Sequence, residues 1–264
     1  MSRLTVHALA ALSIIIGVGS LIVFTIFLYT GPFYSTNLGL GLAEALVLDA
    51  SLCLVFFFQH SGMIRKSTKR CMSQVISEQD FGAVFSIVSG ITLLALVLLW
   101  QETAFVLASA DGFYRWSFRA MFFLAIAGQV WGIWSLKSAD LFGAESVLRR
   151  SGPTPPPAPM VVRGPYRWVR HPLYLTTLLM IWSYPDLTAD RLLFSVLFTA
   201  WIIVGTVLEE RDLVADYGEV YRNYQRSVLC QCWCHIADQL TRRQDEYDTS
   251  VLAGPATVRA MGFS

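Results

Sequence analysis

Apolar residues fall along this chain in runs too long and too uniform to be one face of a soluble helix. The first covers about Ala8 to Tyr29 and stops at Gly31-Pro32. A second runs from about Leu42 to Phe58 and ends in Gln59-His60-Ser61. A third covers about Phe81 to Trp100, and a fourth about Phe118 to Leu136. Runs of this length with few charges predict membrane-spanning helices. Two more, Leu173 to Tyr184 and Leu192 to Leu208, flank a turn at Pro185-Asp186. They predict a helical hairpin with a short first arm, about 12 residues or ~18 Å of helix against a hydrocarbon core of ~30 Å. The expected architecture is an all-α integral membrane protein of five to six transmembrane helices, closed by a C-terminal helical hairpin.

Composition agrees. Of 264 residues, 55% are hydrophobic and 15% charged, where soluble domains carry about 25% charged residues. The net charge of +1 supplies no field for nucleic acid. The first apolar run is too long for a signal-peptide core and lacks a small-residue cleavage site, so it reads as a retained span. Gly17-Val18-Gly19 inside it reads as a helix-packing feature; no strand precedes it and the full nucleotide-loop motif is missing. The chain is expected to form a single membrane domain over 1–264, with a catalytic core at about 137–228 and a polar tail at about 236–264.

Charge sets the orientation. Arg65, Lys66, Lys69 and Arg70 follow the second run, Arg149, Arg163, Arg167 and Arg170 follow the fourth, and Arg211, Arg222 and Arg226 follow the hairpin. The opposite loops hold Glu102, Asp111, Asp186 and Asp190, with only Arg115, Arg119 and Arg191 as cations. The positive-inside rule then places both termini in the cytosol, together with His60, the basic cluster and the acidic pair. Residues 152–159, Gly-Pro-Thr-Pro-Pro-Pro-Ala-Pro, predict an extended strap. Cys230, Cys232 and Cys234 alternate more tightly than the Cys-x2-4-Cys of structural zinc sites, so no metal is expected and reduced or acylated thiols are.

The chemistry concentrates between 163 and 226. Arg163-Gly164-Pro165-Tyr166-Arg167-Trp168-Val169-Arg170-His171-Pro172-Leu173-Tyr174 precedes the hairpin, and Glu209-Glu210-Arg211-Asp212 follows it. Pro172 suits the first turn of a helix, whose N-terminal amides would favour an anion near His171, flanked by Arg167 and Arg170. The carboxylates across the mouth would favour a cation. Tyr166, Trp168, Tyr174, Tyr221 and Tyr224 offer ring faces. One pocket with both features fits a zwitterion. The plainer alternative stays open for each residue: arginines snorkel at cytosolic span ends, and Glu-Glu-Arg-Asp can be a solvated helix end. Asp49, inside a span, is either functional or pairs with Gln129 or another span and only holds the bundle together.

Arg-His-Pro-x-Tyr, a hairpin, Glu-Glu and then Tyr-x-x-Tyr-x-x-x-Val resembles the isoprenylcysteine carboxyl methyltransferase-like superfamily over residues 163–228. Phe58-Gln59-His60-Ser61-Gly62-Met63 and Asp140-Leu141-Phe142-Gly143 are similar to its bacterial methanethiol S-methyltransferase branch, to which NnrU proteins and nurim are related. The resemblance implies S-adenosylmethionine as methyl donor, in a cytosolic pocket lined by Tyr166, His171, Pro172, Leu173 and Tyr174. Glu209 or Glu210 would hold another part of the cofactor. It further implies His171 or His60 as base, Gln59 at the substrate, and methanethiol going to dimethyl sulfide. A span-end His60 is also an ordinary interfacial residue. The prenylcysteine enzymes carry an arginine a few residues before the acidic pair; Gly205-Thr206-Val207-Leu208 has none, which favours a small neutral thiol over a carboxylate substrate. Thr176 and Thr177 stand near where the family has glycine, and Val228-Leu229-Cys230 replaces its Val-Pro. A prenylcysteine or lipid substrate and a nurim-like membrane scaffold are the rival readings. The sequence leaves the oligomeric state open.

Overall fold

A computed structural model describes residues 3–33, 36–136, 140–149, 160 and 162–228. The proline strap, the Cys230–Cys234 segment and the polar tail lie outside the described residues. In chain order the elements are α1 (Arg3–Thr30), α2 (Leu42–Ile64), α3 (Lys66–Met72), α4 (Glu78–Leu99), β1 (Val106–Ser109) and α5 (Gly112–Ser135). Then come α6 (Ala144–Leu148), a 3-10 turn at Gly164–Arg167, α7 (Pro172–Ile181), β2 (Asp186–Thr188), α8 (Ala189–Tyr217) and α9 (Glu219–Ser227).

Four helices, α1, α2, α4 and α8, are long and apolar enough to cross a membrane, which makes this a multi-pass membrane protein. The 24-residue α5 is long enough but more polar, and α7 has only 10 residues. The end of α2 differs from the sequence reading. Helix α2 runs on to Ile64, so Gln59 and His60 lie inside it. The chain turns only at Arg65, whose extended backbone caps α2 and opens α3. The fold is also not purely helical. β1 and β2 pair antiparallel, Val106 with Thr188 and Ser109 with Asp186, with an irregularity between Val106 and Ala108. Arg115 clamps this ribbon through Asp186, with Nη1 to Oδ2 at 2.9 Å. Two segments of three and four residues carry too little alternation to read as strands.

Small residues bring α1 against α4. Ser13, Gly17 and Ser20 recur on one buried face, the spacing that lets helix backbones approach in lipid. A Cβ on Gly90 of α4 would stand 2.7 Å from Ile16 Cγ2. The Asp140-Leu141-Phe142-Gly143 segment docks on the same pair. Phe142 fills the notch at Gly17, and Gly143, at φ +68, lies against the α4 backbone at Gly82 and Ala83. Gly17 therefore packs as expected, whereas Gly19 has open space beside it.

The aromatic core sits toward the ribbon end. Phe27, Trp100 and Phe194 meet edge to face at 5.3–5.9 Å, and Phe57 stacks on Trp201 at 4.8 Å. Most buried polar groups there are matched, though Asp49 Oδ2 and Arg191 Nε have no hydrogen-bond partner among the described residues. Asp190 accepts from Trp100 Nε1 at 3.2 Å and from the Thr103 amide and hydroxyl at 3.0 and 2.7 Å. Asp49 accepts from the Gln101 amide at 2.9 Å rather than pairing with Gln129, which takes the Thr176 hydroxyl instead. Arg191 Nη2 donates to Phe27 O at 2.7 Å, which also takes the Gly31 amide at 3.0 Å, and Tyr184 Oη donates at 3.3 Å to Thr30 O, a carbonyl that the end of α1 leaves open.

Candidate active site

At the other end of α8, one carboxylate gathers three elements. Glu210 is 2% exposed. Its Oε1 takes His171 Nε2 at 2.6 Å and the Tyr221 hydroxyl at 3.0 Å. Its Oε2 takes Arg170 Nη1 at 2.8 Å and the Gln225 amide. Four donors on two oxygens fill the roughly four lone-pair sites a carboxylate has. An ionised carboxylate only accepts, so the shared hydrogen sits on His171 Nε2. That leaves Nδ1 as the acceptor of the neutral ring.

Local sequence explains how these groups arrive. Gly164, at φ +54, lets the 3-10 turn pack against Ser135 and Trp131 of α5. Pro172 is the first residue of α7, and His171 caps it in a non-helical conformation. Gly128 and Gly132, one turn apart on α5, receive Thr176 and Leu173 of α7. A Cβ at either glycine would stand within 2.6–2.7 Å of those side chains. Gly218, in a backbone region that only glycine adopts readily, ends α8 and starts α9. Tyr221, Tyr224 and Gln225 then share one face of α9 at three- and four-residue spacing.

Glu209 points elsewhere. Successive helix residues are rotated by about 100°, and the Glu209 side chain is 44% exposed where that of Glu210 is 3%. Its Oε2 lies 3.7 Å from His171 Nδ1. The imidazole stacks on Tyr174, with ring centroids 5.5 Å apart and planes 9° from parallel. Tyr224 Oη donates to Tyr166 O at 2.6 Å, tying α9 to the 3-10 turn. Burial, then the Glu209 charge and neighbouring Tyr224, pushes the Tyr166 phenol up to about 12. Tyr224 is also pushed up to about 12, by burial and, against the opposing pull of Arg170, by the Glu210 charge. Both phenols are donors at neutral pH.

Of the residues expected at the site, the structure brings His171, Tyr174, Glu209 and Glu210 together, with Tyr166 joined through Tyr224. Pro172 and Leu173 are adjacent, and Leu173 packs on Gly132. Gln59 and His60 have different partners. Gln59 bonds Ser89 at 3.2 Å and Thr92 at 2.8 Å on α4. The His60 ring lies against Phe56 and Phe85 at 5.3 and 5.1 Å, and its Nδ1 is buried with no hydrogen-bond partner among the described residues. Sequence reasoning missed Gln225 and gave Tyr221 only a ring-face role. The signal was available: both lie on the Tyr224 side of an amphipathic nine-residue helix.

The protein-family model for "NnrU protein" matches residues 49–234. The chain belongs to the NnrU family. It is 36% identical over 191 residues to a methanethiol S-methyltransferase of a Pseudomonas species, covering 70% of this chain and 72% of that one. It is 30% identical over 197 residues to a methanethiol S-methyltransferase of Mycobacterium tuberculosis, covering 74% and 81%. Nurim of Rattus norvegicus is 29% identical over 201 residues, covering 70% and 74%. No solved structure matches.

Proposed function

We propose that this protein is a membrane methyltransferase that uses S-adenosylmethionine to methylate a small thiol, methanethiol, giving dimethyl sulfide. One observation carries the reading. Relatives named methanethiol S-methyltransferase align over about 70% of the chain, and Arg170 and His171 of the Arg-His-Pro-x-Tyr motif meet Glu210 of the Glu-Glu pair in one buried cluster.

The residues present fit the cofactor. Its ammonium suits the outward carboxylate of Glu209, and its carboxylate suits the first-turn amides of α7, which have no partner within their own helix. The Tyr174 ring and the Tyr166 segment offer apolar walls. When bound, S-adenosylmethionine supplies a sulfonium-activated methyl group, so the protein's work is to bind, align and take up a proton. Glu210 acts as a positioning residue: it fixes the tautomer and plane of His171 and holds α9 in place. Glu209 is the carboxylate that meets the ligand. A thiol reacts as its thiolate, and His171 Nδ1 is the atom to receive that proton. His60, whose Nδ1 has no hydrogen-bond partner among the described residues and whose ring lies between two phenylalanine rings, is a second candidate base, with Gln59 beside it at the thiol.

The same reading gives five to six membrane helices, one domain, a C-terminal hairpin of α7 and α8, and both termini in the cytosol. Helix α5 supports the count. Phe113, Tyr114 and Trp116 are exposed at one end and Trp131 and Trp134 at the other. The 21 residue steps from Phe113 to Trp134 rise about 31 Å, the span of a ~30 Å core with aromatic belts at both faces.

Purified protein in detergent, given methyl-labelled S-adenosylmethionine and methanethiol, is expected to release labelled dimethyl sulfide, and His171→Ala is expected to release none. The nurim relatives favour a second reading, a membrane scaffold that kept the fold. No product together with no saturable S-adenosylmethionine binding would establish that reading and end the first. Binding without product would keep the methyltransferase and change its acceptor.

A further inference from the structure

A cavity of about 200 Å³ opens between α2 and α8, on the side of α8 away from Glu210. Phe58, Gly62, Trp201, Gly205 and Leu208 line it, and Arg65 stands at its cytosolic end. The helical period separates it from the candidate active site. Trp201, Val204, Gly205 and Leu208 recur at three and four residues, and Glu210 falls about 160° or more round the helix from their mean direction. The cavity has a floor and a roof. Trp201 Nε1 donates to the Ser61 hydroxyl at 3.0 Å below. Arg65 Nη1 meets Asp212 Oδ2 at 3.8 Å above.

Two features make it a groove. Among the described residues a Cβ at Gly62 or at Gly205 would meet nothing within 4 Å, so each helix presents bare backbone to the groove. The rim is apolar and faces outward, with Phe58 67% and Val204 46% exposed. In a membrane protein such a slot faces hydrocarbon. Its cytosolic end is cationic: the Arg65 side chain is one-third exposed. Arg211, one turn beyond Leu208, is exposed on the same stretch of α8, and Lys69 and Arg70 follow on α3, both exposed. The Arg65–Asp212 contact is long and half-solvated. Such pairs contribute little, so a phosphate can compete for the guanidinium.

We infer that this groove binds a phospholipid of the cytosolic leaflet, one acyl chain lying over Gly62 and Gly205 with its phosphate at Arg65. The charge argues for an anionic headgroup. Juxtamembrane cationic clusters attract anionic lipid, and an arginine presents a donor fork suited to phosphate oxygens. The volume is below the roughly 300–1,000 Å³ of pockets that hold drug-sized ligands. The slot thus takes part of a chain, not a nucleoside.

The test uses the full chain purified in detergent, stripped of lipid and resupplied with phosphatidylglycerol or phosphatidylcholine. Native mass spectrometry should retain phosphatidylglycerol preferentially, with a rise in Tm. Gly62→Leu/Gly205→Leu should abolish both the retained lipid and the rise. Because two leucines can overfill the slot, Gly205→Ala serves as a milder filling that the open space accommodates; it should reduce retention several-fold while Tm without lipid holds or increases. Arg65→Gln should erase the preference between the two headgroups. Equal retention by wild type and the filled variants would overturn the proposal. So would loss of thiol methylation in Gly205→Ala with lipid retention unchanged, which would make the groove a path for the thiol.

Discussion

Glu209 and Glu210 are neighbours in sequence and opposites in environment. Replacing Glu210 with Gln removes the charge facing Arg170, which is 5% exposed. Breaking a buried pair while leaving one partner costs about 3–5 kcal/mol. Glu210→Gln is therefore expected to lower Tm sharply and to lose turnover through misplacement of His171. Glu209→Gln should keep the wild-type Tm. It should weaken S-adenosylmethionine binding by about 10- to 100-fold, the worth of a ~1.5–3 kcal/mol hydrogen bond to a charged group. Thermal unfolding and a binding titration on both variants separate the two roles; equal effects would erase the distinction. The phenols give a pH dependence. Tyr166 and Tyr224 hold their protons to about 12 in the fold, where the ordinary value is 10.0. Between these values the unfolded chain binds fewer protons, so stability falls as pH rises from about 10 to 12. Tyr224→Phe should flatten that slope in unfolding curves. The sequence made the motif legible and left the two carboxylates equivalent. Their division depends on which helix face meets α9, and α9's own register is what sequence reasoning passed over.

Element lengths were largely legible because apolar runs and charged ends mark them. The misses have physical causes. Helix α2 was ended too early because Gln59, His60 and Ser61 look like an interface, yet Ser89 and Thr92 of α4 satisfy Gln59 inside the bundle. The β ribbon was invisible because its strands are held by a cross-chain clamp, Arg115 on Asp186, and not by their own pattern. The Asp-Leu-Phe-Gly segment looked like part of a functional signature. Its visible role is structural: it wedges Phe142 and Gly143 between α1 and α4. Gly143→Ala therefore carries a strong expectation. A left-handed residue with a side chain costs about 1–2 kcal/mol, and the added Cβ would stand 2.2 Å from the Ala83 nitrogen. The variant should unfold well below wild type or fail to accumulate. Gly19→Ala, with open space around it, should be neutral or gain up to about 1 kcal/mol in helix propensity. Parallel thermal melts in detergent decide between a docking wedge and an indifferent loop.

At the scale of the molecule, α8 joins two polar clusters with different duties. Asp190 at its start and Glu210 near its end are 20 residues apart in sequence, or about 30 Å of helix. Asp190 is fully buried and anchors Trp100 and Thr103. It meets no residue of the His171–Glu210 cluster among its hydrogen-bond partners. It holds the end of α4 to the start of α8 and so keeps the aromatic core closed. Replacing it with Asn turns an acceptor of three donors into a group that must present its own N–H to some of them. Each hydrogen bond to a charged acceptor is worth about 1.5–3 kcal/mol, so a loss of at least that size is expected. Binding of S-adenosylmethionine, per folded molecule, should not change. Sites this far apart with no shared partner add within about 0.3–0.5 kcal/mol. The double variant Asp190→Asn/Glu209→Gln should therefore show the Tm of the first and the cofactor affinity of the second. A coupling well above that bound would mean that α8 transmits strain from one membrane face to the other, and the two ends would have to be treated as one site.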